Sequence, residues 1–281
     1  MLCPVKLLVC GAGGMLGQDV VRAGAFANHD VVALDRDGLD VANERSVRRV
    51  LERHRPAAVV NCAAFTDVDG AESDREGALR LNAEAAGQVA AAAAAVDATV
   101  VYPSSDYVFD GTSERPYVES DPPAPESVYG QSKLAGEAET ARANPRSYLV
   151  RTSWLFGTGG RNFVETMLEI GGRDGQVVVV RDQVGSPTYT GHLAAGIVRM
   201  LDTDAYGVHH LSAAGECSWY DFAMAIFEDA RVDCRVLSTT TAEFNRPAPR
   251  PAYTVLGTQW DAAIFLPDWR VGLRSYLEDR A

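Results

Sequence analysis

Short apolar runs alternate along the first half of the chain with longer stretches whose apolar residues recur every three or four positions. Lys6–Cys10 is the first run, after which Leu16, Val20 and Val21 take up helical spacing. Asp30–Leu34 is the second. A charge-rich helix follows over Glu44–Arg55, is closed by Pro56, and leads into a buried-looking strand, Ala57–Ala64. Asn82 through the alanine run to Val96 reads as a helix with Leu81, Ala85, Val89 and Ala92 on one face. Thr99–Tyr102 is a fourth strand, the proline-rich 115–125 a surface loop, Tyr129 onward a helix, and Ser147–Phe156 a further strand. Strand and helix in alternation predict an α/β protein with a Rossmann-type, doubly wound parallel sheet.

Beyond residue 155 the pattern changes. It predicts a helix over Phe163–Ile170, a strand at Gln176–Val180, a helix over Gly191–Leu201 and a strand at Val208–Leu211. Ser218-Trp219-Tyr220-Asp221 has the form of a helix N-cap with an acid at its third position, and 246–251 is a proline-rich loop. The expected division is a dinucleotide-binding domain over 1–155, to which later segments return, and a smaller interleaved substrate lobe over 156–281.

Strand, glycine turn and helix at the N-terminus give the first chemical signal. Gly11, Gly14 and Gly17 are spaced GxxGxxG, with Gly13, Met15 and Leu16 between them. Such glycines allow a tight turn, close approach of backbone to a pyrophosphate and close packing of helix on strand. Asp35 follows the second strand, where an acid can accept hydrogen bonds from an adenosine ribose; its neighbour Arg36 could instead hold a 2′-phosphate. The two point to opposite coenzymes, so NADH and NADPH both stay open. Small residues after the third strand, Cys62, Ala63 and Ala64, would let the coenzyme lie against the strand end, and Asp40, Val41, Thr66, Thr152 and Trp154 complete the expected coenzyme contacts.

Tyr129 and Lys133 stand four apart at the start of a helix, so phenol and ammonium project from one face. Many helices carry such a pair as an exposed aromatic and a solvated charge. Beside a dinucleotide site it has a use: a lysine cation one turn away favours the phenolate and brings a sluggish phenol nearer the working pH. Ser105, just past the fourth strand, falls where it can hold a substrate carbonyl or hydroxyl within reach of that phenol.

Composition narrows the partners. The chain of 281 residues has 47% hydrophobic and 23% charged residues, as expected of a soluble globular protein, and no apolar run approaches the about 18 residues of a membrane span. Met1-Leu2-Cys3-Pro4 leads directly into a strand, so a cytoplasmic protein is expected. A net charge of -12 argues against nucleic acid but not against a small anion held by one helix N-terminus or one arginine. The five cysteines are scattered, without metal-ligand spacing, and read as reduced thiols; the adjacent His209 and His210 read as structural.

Together these pieces resemble the extended short-chain dehydrogenase/reductase superfamily and, within it, the dTDP-4-dehydrorhamnose reductase family. The specific motifs are Asn61 through Asp69, Ser104-Ser105-Asp106-Tyr107-Val108-Phe109, Arg151-Thr152-Ser153-Trp154, Asp182-Gln183 through Pro187-Thr188, Arg250-Pro251 and Leu266-Pro267-Asp268-Trp269. The resemblance implies NAD(P)H-dependent reduction of the C4 ketone of a dTDP-linked 4-keto-6-deoxysugar. It makes Tyr129 the general acid, Lys133 its modulator and ribose contact, and Ser105 the substitute for the family's more usual threonine. Asp106, Tyr107 and Trp154 would frame the sugar, and Arg250 would meet the nucleotide diphosphate. Some members carry magnesium at a dimer interface; no residues here can be assigned to it, and monomer and homodimer both stay open. Related dehydratases need two successive acids after the serine or threonine, whereas Tyr107 follows Asp106, which speaks against elimination. Two other readings stand: an epimerase with tightly bound NAD, and a non-catalytic NADP-binding regulatory subunit.

Overall fold

Five strands from the first 151 residues and one from residues 207–210 join edge to edge in a computed structural model describing residues 4–260 and 263–280. The strands are β1 (Lys6–Cys10), β2 (Asp30–Leu34), β3 (Ala58–Asn61), β4 (Thr99–Pro103), β5 (Ser147–Arg151), β6 (Leu155–Phe156), β7 (Gln176–Val180), β8 (Val184–Gly185), β9 (Thr188–Tyr189), β10 (Gly207–His210), β11 (Cys217–Ser218) and β12 (Arg235–Thr239). The main sheet has the order β2-β1-β3-β4-β5-β10 and every pairing in it is parallel. The chain leaves β1 for β2 on one side and then for β3 on the other. A crevice therefore opens beyond Cys10 and Asn61, where ligands of such sheets bind.

The helices are α1 (Met15–Phe26), α2 (Glu44–His54), α3 (Val68–Ser73), α4 (Arg75–Leu79), α5 (Ala85–Ala94), α6 (Val128–Ala143), α7 (Phe163–Asp174), α8 (Thr190–Met200), α9 (Trp219–Ala230), α10 (Thr241–Phe244) and α11 (Trp269–Asp279). Alternate strand residues feed two cores, as the period of two requires. Leu7, Val9, Val60, Val101 and Val150 pack with Val20 of α1 and Leu193 and Ile197 of α8. Leu8, Cys10, Val59 and Val100 pack with Val47 and Leu51 of α2 and the alanine face of α5. A third, aromatic core around Phe156, Phe222, Trp269 and Tyr276 lies among α7, α9 and α11, beside the parallel pair β7 and β12.

Three expected elements differ in extent. The strand expected over 147–156 stops at Arg151: Trp154 adopts a left-handed φ of 48°, the Ser153 hydroxyl donates to the Ser186 carbonyl at 2.7 Å, and Leu155–Phe156 pairs with Thr188–Tyr189 instead. The helix expected over 82–96 is α5 preceded by one π-turn, Arg80–Glu84. The strand expected to reach Ala64 ends at Asn61 and gives way to a loop. The cap expected at Ser218 is a full capping box with Asp221. His210 takes part in β10, with Nδ1 at 3.0 Å from the Tyr117 carbonyl and 2.8 Å from that of Gly257. Among the described residues no helix is long and apolar enough to cross a membrane. Cys10, Cys62, Cys217 and Cys234 are free thiols, and Cys3 lies outside the described residues.

Candidate active site

The glycine turn divides into two kinds of position. Gly11 has φ 70°, and a Cβ on it would lie 2.6 Å from the Ala63 nitrogen; one on Gly17 would lie 2.2 Å from the Gly11 carbonyl oxygen. Both are dictated by packing of the chain on itself. At Gly13 and Gly14 an added Cβ would meet nothing nearer than 3.5 Å. Their bare backbone faces the crevice at the first turn of α1, whose N–H groups have no partners within the helix and suit an anion.

In front of this turn lies a cavity of about 1360 Å³. Gly11, Gly13, Gly14, Asp35, Arg36, Asp40, Val41, Cys62, Ala63 and Ala64 line it; the other expected coenzyme contacts, Met15, Leu16, Gly17, Thr66, Tyr129, Lys133, Thr152 and Trp154, do not. Leu16 instead packs into the core beneath α1. The cavity is also lined by Arg45 and Arg48 of α2 and Arg80 of the π-turn. Only the fold brings these three to the rim beside Arg36; along the chain they read as solvated helix charge. Arg48 is paired with Glu44 at 2.8 Å. Asp35 is partly engaged, because its Oδ1 accepts the Gly38 N–H at 2.9 Å.

Ser105, Asp106, Tyr107, Tyr129 and Lys133 come together past the end of β4. Ser105 is the N-cap of a 3-10 turn, Asp106–Val108, and its Oγ accepts the Tyr107 N–H at 3.2 Å while donating to Asp106 Oδ1 at 3.0 Å. The Tyr129 phenol lies against the same hydroxyl: burial pushes it up to about 12, and the hydrogen bond with Ser105 pulls the other way. The Tyr107 and Tyr129 rings meet edge to face at 5.8 Å. Lys133 is buried, with Nζ donating to the Pro103 carbonyl at 2.7 Å and lying 4.2 Å from the Tyr102 ring centroid. Burial brings it down to about 7, against the influence of Glu137 and Cys62. The expectation that Lys133 lowers the phenol is thus not met by the protein's own groups. The ammonium is turned to the strand end, and desolvation of the phenol dominates.

Asp106 is buried almost completely. Its Oδ2 has no hydrogen-bond partner, and burial pushes the carboxyl up to about 7, against the lowering influence of the Thr254 and Ser105 hydroxyls. Thr254, missed in the sequence, is brought there by the bond from its N–H to the Val184 carbonyl at 2.9 Å. Arg250 donates to Asp69 Oδ1 at 2.5 Å and to the Ala248 carbonyl at 2.7 Å, and it also reaches the Tyr107 phenol. Asp69 accepts from Arg246 as well, at 2.9 Å, so α3 grips the 246–250 loop. Trp154 stacks on Trp219 with centroids 3.6 Å apart and planes at 4°, over Gly185, where a Cβ would strike its ring at 2.5 Å.

Two buried assemblies hold these pieces in place. Asn82 of the π-turn accepts the Phe65 N–H at 2.8 Å and donates to the Phe65 carbonyl at 3.0 Å and the Ser132 hydroxyl at 2.9 Å; Ser132 in turn donates to the Tyr129 carbonyl at 2.7 Å. The cavity loop and the Tyr129 helix are thereby joined through one side chain. Glu137, one turn beyond Lys133, receives Arg151 through Nε at 2.9 Å and Nη2 at 2.8 Å and the Ser104 hydroxyl at 2.5 Å. Among the described residues no group of three or more His, Cys, Asp or Glu is arranged to hold a metal ion.

A doubly wound parallel sheet with a glycine-lined crevice at its switch point is the Rossmann class of nucleotide-binding protein. The sequence matches the RmlD substrate binding domain over residues 5–281, and the chain belongs to this family, that of the dTDP-4-dehydrorhamnose reductases. It is 44% identical over 281 residues to a probable dTDP-4,6-dihydroxy-2-methyloxan-3-one 4-ketoreductase of Streptomyces antibioticus, covering 98% of this chain and 95% of that one. It is 41% identical to the spore coat polysaccharide biosynthesis protein SpsK of Bacillus subtilis, covering 98% of each. The crystal structure of dTDP-4-dehydrorhamnose reductase from Bacillus anthracis, in complex with NADP, superposes with a TM-score of 0.96 at 37% identity, covering 99% of this chain and 100% of that one.

Proposed function

We propose that the protein reduces the C4 ketone of a dTDP-linked 4-keto-6-deoxysugar, using a reduced nicotinamide coenzyme held in the crevice between β1 and β3. The observation that carries this reading is the gathering of Ser105, Tyr107 and Tyr129 past the end of β4, one helical turn from Lys133: the Tyr107 N–H donates to Ser105 Oγ and the Tyr107 ring meets that of Tyr129 edge to face. The cavity fits a dinucleotide: its floor is bare backbone at Gly13 and Gly14, and small residues line the strand end at Ala63 and Ala64. The coenzyme, when bound, supplies hydride. The protein's residues do the rest. Ser105 holds the substrate oxygen, and Tyr129, kept protonated by its burial, delivers a proton to that oxygen as negative charge develops there. Lys133 stands within a turn to hold a ribose hydroxyl and to stabilise the phenolate left behind. Trp154, Tyr107 and Asp106 wall the sugar, and Arg250, already oriented by Asp69, meets the diphosphate.

The rim of the cavity favours NADPH. Arg36, Arg45 and Arg80 converge there from three elements, and among the described residues none of them is in an ion pair, so a 2′-phosphate has cations to meet. The test is to follow loss of reduced-nicotinamide absorbance with each coenzyme while dTDP-4-keto-6-deoxyhexoses are made in situ. Turnover with NADPH faster than with NADH is expected. No consumption of either coenzyme, or protein that purifies with oxidised NAD and interconverts sugars without consuming it, would end the reading.

A further inference from the structure

The reduction itself draws on nothing in the segment 182–188, yet that segment encloses Trp154. A Cβ on Gly185 would lie 2.5 Å from Trp154 Cε2 and 2.8 Å from both Cζ2 and Nε1. Cε2 is a fusion carbon, bonded in the ring plane on all three sides, so a Cβ nearest to it lies over a face of the ring. Trp219 covers the other face, its centroid 3.6 Å away and its plane tilted by 4°, and none of its atoms is among those the Cβ would meet first. The indole is clamped between bare backbone and a second indole, and only its edge is left for a ligand. Its backbone is held left-handed, at φ 48°, which a bulky residue keeps only where the surroundings impose it. Thr152, two residues before it, accepts the Asp106 N–H at 2.9 Å, so the clamp borders the site. What fixes Trp219 is polar. Stacked rings attract one another without fixing rotation in their common plane, whereas a hydrogen bond has a direction. Trp219 Nε1–H donates to Oε1 of the buried Gln183 at 3.1 Å. Indole can only donate, so the Gln183 amide is oriented, and its Nε2 donates to Thr241 Oγ1 at 3.0 Å. Thr241 passes its hydroxyl proton on to Asp182 Oδ1 at 2.8 Å. The pairing of Cys217 with Gly185 and of Ser218 with Val184 brings Trp219 opposite Gln183.

We propose that Gln183 and Trp219 are positioning residues that hold the edge of Trp154 against the sugar, and so set how strongly the enzyme reads the sugar as distinct from the nucleotide. The inference rests on the reductase reading, in which Trp154 walls the sugar. Gln183 acts through Trp219, and Trp219 through Trp154. Neither needs to touch the substrate. Asp182 meanwhile grips α10 by itself, both of its carboxylate oxygens accepting the Thr241 N–H at 2.9 Å. Loss of the Gln183 amide therefore frees the indole but leaves α10, and the 246–250 loop that follows it, in place. The effect falls on the sugar end of the substrate and spares the nucleotide end, where Arg250 stands.

Gln183→Met keeps the bulk of the side chain and removes both polar atoms. Isothermal titration of the intact enzyme, saturated with oxidised NADP, compares dTDP with dTDP-rhamnose. Wild type should bind dTDP-rhamnose more tightly than dTDP. Gln183→Met should weaken dTDP-rhamnose by about tenfold, the scale of one lost hydrogen bond, and leave dTDP unchanged. Trp219→Phe keeps a ring on Trp154 and loses the N–H; it should shift the same ratio in the same direction, and it decides the matter where Gln183→Met does not fold. Added to Trp154→Ala, Gln183→Met should change the ratio no further. In turnover, KM for the ketosugar should rise by about tenfold while KM for NADPH and kcat stay put. Circular dichroism of the coupled indoles reports the clamp with no ligand present: the signal that Trp154→Phe abolishes should be reduced in Gln183→Met, and an unchanged signal overturns the clamp. Equal weakening of both ligands, unchanged affinities, additive losses in the double variant, or a wild type that does not distinguish the two ligands overturns the inference, even in an enzyme that reduces the ketosugar. A wild type that shows the expected binding pattern and consumes no coenzyme refutes the reductase reading alone.

Discussion

Ser105 and Asp106 are buried and hydrogen-bonded to each other, with the half-buried Tyr129 beside them. Replacing Tyr129 by Phe removes the proton donor but not the ring. Coenzyme binding should survive, measured by fluorescence titration, while turnover falls by about 10²- to 10⁴-fold; undiminished turnover removes Tyr129 from the chemistry. Asp106 has a consequence for stability whose sign follows from its raised value. The folded protein keeps a proton up to about pH 7 that an ordinary carboxyl at 3.8 releases, so the native state is penalised progressively between those values and fully above them. Asp106→Asn escapes this. It should gain stability over wild type as pH climbs from about 4 to 7 and hold the gain beyond, up to roughly 4 kcal/mol; thermal melts at pH 4.5 and pH 8 showing the same gap would contradict it. At the adenosine end, Arg36→Ala should raise KM for NADPH by about ten- to a hundredfold, the loss of one charged hydrogen bond, and leave KM for NADH unchanged. Of these residues, the glycines, Asp35 and the Tyr129/Lys133 pair stand out in the sequence because turn geometry and helical spacing are local. The arginines at the rim and Thr254 do not, since nothing near them in the chain says what they face.

The elements carrying the site show the same divide. Strand lengths at Lys6–Cys10, Asp30–Leu34 and Gln176–Val180 follow from hydrophobic pattern alone. The π-turn at Arg80–Glu84 does not, because the alanines around it favour uninterrupted helix. Its origin is tertiary. Asn82 is drawn into three hydrogen bonds with Phe65 and Ser132, and α6 approaches so closely at Gly136 that a Cβ there would lie 2.1 Å from the Asn82 carbonyl oxygen. Asn82→Ala should therefore strand the Phe65 N–H and lower stability by about 1–3 kcal/mol. In an activity assay it should also raise KM for coenzyme, since the loop carrying Ala63 and Ala64 loses its anchor; a variant melting at the wild-type temperature with unchanged KM would rule out that role. The break after Arg151 was equally hidden, because Leu155 and Phe156 are as apolar as the strand they seem to extend. What ends the strand is a left-handed Trp154, fixed by stacking on a tryptophan from a distant helix.

Over the whole molecule, early and late segments of the chain share their scaffolding. α8 and β10, from residues 190–210, complete the core and the edge of the sheet built by the first 151 residues: Leu193, Ala194, Ile197 and Leu211 pack on Leu7, Val9, Val101 and Val150. One face of the sheet is covered only by these later segments, so calorimetry should record one cooperative transition, and saturating NADPH should move all of it upward. Two separable transitions, with only one responding to coenzyme, would contradict this interleaving. The same connectivity bears on synthesis. A ribosome that has released β5 must still thread residues 152–206 before β10 can cover that strand's open margin. Throughout that interval the nascent protein carries an unpaired edge with Tyr148, Leu149 and Val150 at its centre that any neighbouring polypeptide can extend, so a stall there, more than any fault in the finished enzyme, is where this protein is most exposed to aggregation.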